Sequence, residues 1–255
     1  MSNIEVKKKL ENTIEGPGLP LISVITVVKN SAYCLERCIQ SVVNQEYKNI
    51  EHVIVDGEST DGTVEILKKY NESLGYWISE KDTGIYNAMN KAIEFTKGKW
   101  LMFLGADDFL LPGFSEFALQ LKSPQTIYYG CCLWGNRVLN TEPYTQKSLP
   151  FECICHQGIL YPRSVFEKYR YNEKYTVAAD YYLNIQCWTD KSFGKFHWPF
   201  LISNFTQGGF SESTLDEAFE NDFEDILKKY LKTKYYLRYR FKKFKKRLKK
   251  TKVDD

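Results

Sequence analysis

Four short apolar runs alternate with helical patterns in the first half of the chain, and this alternation limits the fold more than any other feature. The runs cover residues 21–28, 50–55, 76–78 and 99–104. They are rich in β-branched and aromatic residues, which is typical of strands covered on both faces. Because strands and helices alternate four times within about 90 residues, the sequence predicts an α/β fold with a mostly parallel sheet flanked by helices.

The composition is that of a folded protein with a sizeable core. Of its 255 residues, 43% are hydrophobic and 15% aromatic, and no apolar run approaches the roughly 20 residues that span a bilayer. The charged N-terminal segment lacks the apolar stretch of a secretory signal, and the seven cysteines lack zinc-finger spacing. These features favour a cytoplasmic protein with reduced thiols.

The charge distribution and the breakers divide the chain into three parts. Residues 1–18 form a polar lead-in that ends in a Gly-Pro-Gly breaker, and we expect one folded domain over residues 19–227. Within that domain the alternation covers residues 19–115 and weakens over residues 116–227. Residues 228–255 form a basic tail with 14 of the 35 lysines and arginines, whereas the first 227 residues hold 21 basic and 30 acidic residues, a net charge of −9.

Polar side chains follow each of the four predicted strands at the point where the strand ends. They are Lys29 and Asn30, Asp56 and Glu58, Lys81 and Asp82, and Asp107 and Asp108. In parallel strands these ends meet at one edge of the sheet, where α/β proteins bind their ligands. The sequence therefore predicts a nucleotide-sized crevice lined with acids. The adjacent Asp107 and Asp108 can hold a divalent cation through one or two carboxylates, although a polar turn would explain them as well.

Two phosphate-binding signatures are missing from this edge of the predicted sheet. No GxGxxG follows the first strand, so the dinucleotide fingerprint is absent. The loop over residues 57–63 has glycine, serine and threonine but no lysine, so it is not a P-loop. The sequence therefore gives no support for a dinucleotide-binding protein or for a P-loop nucleotide-binding protein.

Three segments of this half resemble the signature blocks of the family 2 glycosyltransferases. They are LISVIT at residues 21–26, VDGESTDGT at residues 55–63 and LGADD at residues 104–108. Residues 82–90 are also similar to a segment of bacterial members that build surface polysaccharide of the colanic-acid and O-antigen type. The resemblance is dense over residues 20–115, and it implies an inverting enzyme with the GT-A fold.

The resemblance also implies a nucleotide-sugar donor, here a UDP-sugar, and a divalent metal, Mn²⁺ or Mg²⁺. On that basis Asp56 bonds the nucleotide base and Asp82 lies near the nucleoside. Asp107 contacts the ribose, and Asp108 binds the metal on the diphosphate. The other residues expected in the donor site are Val27, Asn30, Glu58 and Lys81.

Three positions depart from the family pattern, and two of the assigned acids have structural alternatives. Val27, Lys29 and Asn87 stand where proline, tyrosine and aspartate are usual, which affects the base contacts and not the acid pair. Asp56 alternatively forms a turn by bonding its own backbone, and Asp82 alternatively caps a helix.

The second half holds the expected catalytic base, Asp180. An inverting transfer needs a carboxylate on the acceptor side of the sugar, opposite the metal, to take the proton of the attacking hydroxyl. Residues 179–183 are similar to the (A/E)-D-Y-x-L segment in which relatives carry this base, although a first-turn acid is also favoured by the helix dipole. His156 and Gln157 match an H-Q pair of such relatives and are expected to wall the sugar pocket, although a lone histidine is more often a packed core residue.

A glycine-rich segment lies near the end of the predicted domain. Residues 206–211 read TQGGFS and are similar to a G-G-x-S loop of the family. We expect Gly208 and Gly209 to belong to a mobile flap over the diphosphate, with a plain hairpin turn as the alternative.

The basic tail has the pattern of an interfacial helix. Leu237, Phe241, Phe244 and Leu248 recur at helical spacing with lysine or arginine at most other positions. Such a helix lies on an anionic membrane surface, which we expect residues 234–252 to bind. A nucleic-acid patch and a merely solvated helix are the alternatives, but no nucleic-acid partner is expected.

Together these features predict a peripheral enzyme on the inner face of the cell membrane. It moves a sugar from a nucleotide-sugar to a lipid-linked or polysaccharide acceptor in the synthesis of bacterial surface glycan, such as lipopolysaccharide O-antigen, capsule or exopolysaccharide. One alternative is a sugar-phosphate nucleotidyltransferase, but residues 29–32 supply no glycine for the loop that this class needs. The other is an adaptor for membrane or RNA that acts through its tail and has no need of the acid pair.

Overall fold

The structure, a computed structural model, describes residues 18–209 and 214–251, and one mixed sheet runs through them. Its strands are β1 (Ile22–Val28), β2 (Ile50–Asp56), β3 (Tyr76–Ser79), β4 (Trp100–Phe103), β5 (Phe109–Leu110), β6 (Thr126–Trp134), β7 (Arg137–Leu139), β8 (Ile159–Pro162) and β9 (Gly194–Phe205). The helices are α1 (Ala32–Val43), α2 (Thr63–Lys69), α3 (Ile85–Glu94), α4 (Gly113–Ala118), α5 (Arg163–Lys168), α6 (Ala179–Thr189), α7 (Glu217–Tyr230) and α8 (Thr233–Thr251). Short 3₁₀ turns cover Asn71–Ser73 and His156–Gly158.

The strand order is β3-β2-β1-β4-β8-β6-β9-β5, with β7 paired to β6. The four strands β3, β2, β1 and β4 are parallel, as the alternation predicts. Beyond β4, strand β8 joins the sheet antiparallel, β6 pairs antiparallel with β8, and β9 is parallel to β6. The predicted fold class, an α/β fold with a mostly parallel sheet flanked by helices, is confirmed.

Both faces of the central strands are buried, which explains why their sequences are mostly apolar. On β1, Val24 packs into one core cluster and Ile25 into another on the opposite face of the sheet. On β4, Met102 and Phe103 divide in the same way. A strand buried on both faces can hold a polar side chain only where that side chain has a hydrogen-bond partner, and Thr26 of β1 meets His52 Nε2 of β2 at 2.9 Å in this way.

Helix α8 has two different faces. Tyr235, Tyr236 and Tyr239 pack against the main core cluster, so this part of the tail is attached to the folded domain. Glu224 of α7 adds ion pairs to Arg240 at 2.5 Å and to Lys243 at 2.7 Å. The other face holds the predicted apolar stripe, and Leu237, Phe241 and Phe244 are 58%, 57% and 58% exposed. The side chain of Leu248, the predicted lead-in over residues 1–17 and residues 252–255 lie outside the described part of the chain.

Two local features differ from what the sequence indicates at first sight. Ser31 stands at the usual capping position before α1, but its hydroxyl donates to the Lys29 carbonyl and does not cap the helix. Helix α7 is not among the elements that the sequence analysis predicts, although Phe219, Phe223 and Leu227 recur every four residues on its inner side. Within the part of the chain that the structure describes, no helix is long and apolar enough to cross a membrane.

Candidate functional site

The ends of β1, β2 and β3 converge at one edge of the sheet, as the sequence predicts for the donor site. Gly57 shows how closely they meet, because a Cβ at this position would lie 2.5 Å from Asp82 Oδ2 and 3.4 Å from Lys29 Cδ. A side chain at position 57 would therefore displace the Asp82 carboxylate from its present place. Lys81, the neighbour of Asp82, is held in this loop by its carbonyl, which accepts from Lys91 Nζ at 2.8 Å.

Two left-handed residues shape the rim of this edge. Asn30 has φ 50° and Glu58 has φ 56°, values that are uncommon outside glycine. The Asn30 N–H donates to Ser59 Oγ at 2.7 Å, and its side-chain oxygen accepts from the Thr60 N–H at 2.9 Å. These bonds lock the loops after β1 and β2 together. Val27, the last partly exposed residue of β1, lies just inside them.

Asp56 is completely buried at the end of β2. Its carboxylate accepts from the Ser59 N–H at 3.0 Å, from the Ser59 hydroxyl, and from Ser79 Oγ at 2.6 Å. These contacts are those of the turn alternative, and a nucleotide base would have to replace one of the hydroxyls. The contact of Asp56 with a base stays a prediction. Asp82 makes the expected local bond to the Gly84 N–H at 2.9 Å.

The acid pair follows β4, and its two members differ in exposure. Asp108 is 1% exposed. Its Oδ1 accepts from the Thr206 N–H at 2.8 Å, and its Oδ2 accepts from the Gly105 N–H at 3.1 Å and from Gln157 Nε2 at 3.0 Å. Burial raises the pKa of this carboxyl to about 6, and the charge of Asp107 adds to the shift. The hydrogen bonds from Thr206 and Gln157 lower the pKa, but they offset only part of the effect of burial.

Asp107 is partly exposed and is held through its backbone. Its carbonyl accepts from Arg37 Nη2 and from Thr206 Oγ1, both at 2.6 Å. A Cβ at Gly209 would lie 3.7 Å from Asp107 Oδ2, so the predicted glycine loop does pass beside the acid pair. Gly208 has φ 84°, which requires glycine or a strained residue. Residues 210 and 211 of the loop lie outside the described part of the chain.

The acid pair fits a divalent cation in an open site, in which the protein supplies only one or two of the ligands. Over residues 18–209 and 214–251, no three histidine, cysteine, aspartate or glutamate side chains cluster as a closed metal site. Mg²⁺ and similar hard cations commonly bind through one or two carboxylates and complete their shell with water and substrate phosphates. The raised pKa of Asp108 supports this fit, because a nearby cation would stabilise the two adjacent negative charges.

A second carboxylate centre is built around Asp180 in the first turn of α6. Its Oδ2 lies 2.9 Å from His156 Nδ1, and its Oδ1 lies 3.0 Å from the Tyr86 hydroxyl. The Asp180 and His156 side chains are 15% and 17% exposed, so both can still be reached from outside. Tyr86 belongs to the segment over residues 82–90, but sequence reasoning assigned it no role. The carboxylate is oriented by two partners and can accept a proton from a hydroxyl.

One short turn connects the two carboxylate centres. His156 and Gln157 are consecutive residues of the His156–Gly158 turn, and the first contacts Asp180 while the second contacts Asp108. The sequence placed both residues in the wall of the sugar pocket. His156 does line a cavity, and Gln157 also holds the acid pair.

A cavity of about 620 Å³ opens beside Asp180. Its walls come from α6, the end of α3 nearest the sheet edge and two loop segments, residues 139–144 and 152–157. Aromatic rings form much of the surface, from Tyr86, Tyr144, Tyr181 and Phe205. This volume lies within the range of about 300–1,000 Å³ that is usual for small-ligand sites. The second half therefore supplies a pocket directly next to the expected base.

Comparison with known proteins identifies both the family and the fold. Residues 23–182 match the family model described as "Glycosyl transferase family 2". A "PGL/p-HBAD biosynthesis glycosyltransferase" of Mycobacterium bovis is 31% identical over 218 residues, which are 78% of this chain and 82% of that protein.

Two solved structures show the same architecture. Residues 1–349 of S. aureus TarS in complex with UDP-GlcNAc match with a TM-score of 0.67 and 17% identity, over 81% of this chain and 64% of that one. The mannosyltransferase PcManGT from Pyrobaculum calidifontis, in complex with GDP-Man and Mn²⁺, matches with a TM-score of 0.58 and 17% identity, over 73% of this chain and 57% of that one. The chain thus spans less than two thirds of these solved chains, and at this identity the likeness identifies the GT-A fold alone.

Proposed function

The chain belongs to glycosyl transferase family 2 and is a glycosyltransferase, and from this premise we propose that it transfers a sugar from a UDP-sugar to a hydroxyl of a lipid-linked or polysaccharide acceptor. The reaction inverts the anomeric carbon and belongs to the synthesis of bacterial surface glycan. The observation that carries this proposal is the His156–Gly158 turn, which connects the buried Asp108 of the acid pair to the accessible Asp180 carboxylate beside a cavity.

The two centres divide the chemistry of such a transfer. Asp108 would hold the divalent cation, Mn²⁺ or Mg²⁺, and Asp107 would contact the ribose; when bound, this ion neutralises charge on the departing diphosphate. Asp180 takes the proton of the acceptor hydroxyl while the oxygen bonds to the anomeric carbon. The bond between that carbon and the diphosphate breaks on the opposite face, which inverts the configuration. His156 and Tyr86 hold the Asp180 carboxylate in place.

The choice of UDP rests on the solved likenesses. TarS in complex with UDP-GlcNAc matches with the higher TM-score, 0.67, and the GDP-Man complex matches with 0.58. The donor residues proposed from the sequence are Val27, Asn30, Asp56, Glu58, Lys81, Asp82, Asp107 and Asp108. The basic side chains of Lys29 and Lys81 on the same edge favour a diphosphate ligand.

The exposed face of helix α8 supports the proposal that the protein acts at a membrane surface. Its apolar stripe, Leu237, Phe241 and Phe244, faces away from the domain and is more than half exposed. Lysine and arginine residues flank this stripe, and each contributes about 1 kcal/mol near an anionic surface. The helix would therefore lie on the inner face of the cell membrane and bring the active site to a lipid-linked acceptor.

A donor screen tests the proposal. The purified protein is incubated with UDP-, GDP- and dTDP-sugars with and without Mn²⁺, and released nucleotide is measured. We expect slow metal-dependent release of UDP, and we expect Asp108→Asn to abolish it. Release of no nucleotide from any donor would contradict the proposal. Formation of pyrophosphate from a sugar phosphate and a nucleoside triphosphate would indicate the nucleotidyltransferase instead.

A further inference from the structure

The residues that line the cavity beside Asp180 are acidic and aromatic. Three acidic residues take part, the largely buried Asp180 and the more exposed Glu142 and Glu152 on the two loop segments. Among the described residues, neither lysine nor arginine lines this cavity. Its one basic side chain is His156, and the Nδ1 of that ring faces Asp180. The described lining of the cavity therefore offers no lysine or arginine to pair with an anionic group of a ligand, and His156 already pairs with Asp180.

The rest of the lining suits the faces of a sugar ring. Tyr144 and Tyr181 present broad apolar surfaces, and both are anchored, since the Tyr144 hydroxyl bonds the Glu152 carbonyl and the Tyr181 hydroxyl bonds the Leu149 carbonyl. Rings held in place contribute apolar contact without losing much side-chain entropy on binding. Such surfaces favour a neutral ring and give no compensation for a charged substituent.

Positive charge begins just outside the cavity. Phe151 adjoins the wall residue Glu152, and its ring lies 4.2 Å from Lys242 Nζ and 6.2 Å from the ring of Tyr239, both on helix α8. The basic helix thus borders the cavity wall without contributing to its lining. An anionic carrier group of an acceptor can therefore lie near α8 while the reacting end of the same acceptor occupies the cavity.

We propose that the cavity selects acceptors whose reacting sugar is uncharged and excludes uronic acids and phosphorylated sugars at that position. The inference rests on the proposed function, because it names the acceptor class of the same site. Its physical basis is repulsion: a carboxylate in the cavity would lie among three acidic residues, with no lysine or arginine in the described lining to pair with it. Asp180 is 15% exposed, and at the dielectric constant of such a partly buried site one contact with it is enough to weaken binding by at least about tenfold.

Binding of matched probes tests this selection without requiring turnover. Octyl glucoside and octyl galactoside are compared with octyl glucuronide and octyl galacturonide by ligand-observed NMR. We expect the two neutral glycosides to bind at least about tenfold more tightly, with a gap that narrows at high salt because screening weakens the repulsion. In the double variant Glu142→Gln with Glu152→Gln, the gap should shrink severalfold through tighter binding of the uronides.

A matched control separates the local effect from net charge. Glu65→Lys changes the net charge by the same amount at an exposed acid on α2 that does not line the cavity, and it should leave the gap as in the wild type. Equal or tighter binding of the uronides by the wild type would overturn the inference, and so would the binding of none of the four probes. Donor hydrolysis is measured on the same samples. A protein that hydrolyses UDP-sugar but binds the uronides equally retains the proposed function and loses only this acceptor class.

Discussion

The donor edge and the acceptor cavity are built in opposite ways. At the donor edge, Asp56 and Asp108 are 0% and 1% exposed, and protein N–H and O–H groups already occupy their oxygens. In the cavity, Asp180 has two partners and keeps 15% of its side chain accessible. A group that is rigidly held and enclosed organises a site, whereas a group that is oriented and still accessible can exchange a proton with a ligand.

The two regions also differ in the charge they present. Basic side chains such as Lys29, Arg37 and Lys81 lie along the donor edge, and Arg37 bonds the carbonyl of Asp107 itself. The cavity lining has carboxylates and aromatic rings instead. One side of the crevice is therefore suited to a diphosphate and the other to a neutral sugar. Substitutions in the two regions should therefore have different effects, which the following predictions describe.

The largest effect is expected from Asp180→Asn. Loss of the general base should lower transfer by about 10²–10⁴-fold, because the amide cannot take the hydroxyl proton, while the affinity for UDP should stay within twofold of the wild type. Both quantities are measured in the same preparation, by product formation and by nucleotide titration. Glu173→Gln is the matched control, since Glu173 bonds Asn87 and Asn90 outside the cavity. Loss of transfer in that variant and not in Asp180→Asn would move the base to Glu173.

A smaller loss is expected when the support of the base is removed. His156→Asn withdraws the group that orients Asp180 Oδ2 and should lower kcat by about 10–100-fold with a shifted pH profile, because misplacement of a reacting group is costly. Tyr86→Phe removes the partner of Oδ1 and should act in the same direction. Steady-state kinetics across pH 5.5–9 report both. Unchanged kcat in each variant would mean that packing alone positions the carboxylate.

The contact between His156 and Asp180 shows where sequence reasoning reaches its limit. The donor edge could be predicted because each strand is a local signal and parallel strands place their ends together. Asp180 and His156 could be named only through family resemblance. Their contact joins residues 24 positions apart, and the contact of Tyr86 with Asp180 joins residues 94 apart. Such pairings depend on tertiary packing, which no pattern of apolar spacing contains.

Helix α8 illustrates the same limit from another side. The spacing of Leu237, Phe241 and Phe244 predicts an amphipathic helix, but the same sequence holds Tyr235 and Tyr239 on the opposite face, and these pack on the core. Deleting the whole tail would therefore disturb the domain as well as remove the proposed membrane contact. Substitution of exposed side chains on α8 tests the membrane contact without disturbing the domain.

Membrane attachment is expected to require the outward apolar stripe in addition to the basic side chains that flank it. The double variant Phe241→Ser with Phe244→Ser should weaken sedimentation with phosphatidylglycerol vesicles by at least about tenfold, because it removes apolar insertion without altering charge. Donor hydrolysis in solution should stay at the wild-type rate. Phe196→Ser, which changes a 45% exposed aromatic on β9, is the matched control and should bind vesicles normally. Equal binding by all three proteins would show that the stripe is not the anchor.

The smallest expected effect concerns stability and compares Asp108 with His52. Burial raises the pKa of Asp108 to about 6 and lowers that of His52, on β2, to about 3. Between pH 4 and 6 the folded state holds the Asp108 proton more tightly than the unfolded state does, so this group makes the protein more stable as the pH falls. The unfolded state protonates His52 more readily below about pH 6.5, so that group makes the protein less stable as the pH falls.

Difference curves separate the two groups, since all other titrating residues affect each protein alike. Relative to the wild type, Asp108→Asn should lose free energy of unfolding as the pH falls from 6 to 4, by at most about 1.4 kcal/mol per pH unit. His52→Gln should gain it over the same interval. Urea denaturation of the metal-free proteins at pH 4.5, 5.5 and 6.5 measures both slopes. Parallel curves for Asp108→Asn and the wild type would mean that Asp108 has an ordinary pKa. Burial would then not destabilise the charged form of Asp108. The main physical argument for a cation at the donor edge would be lost.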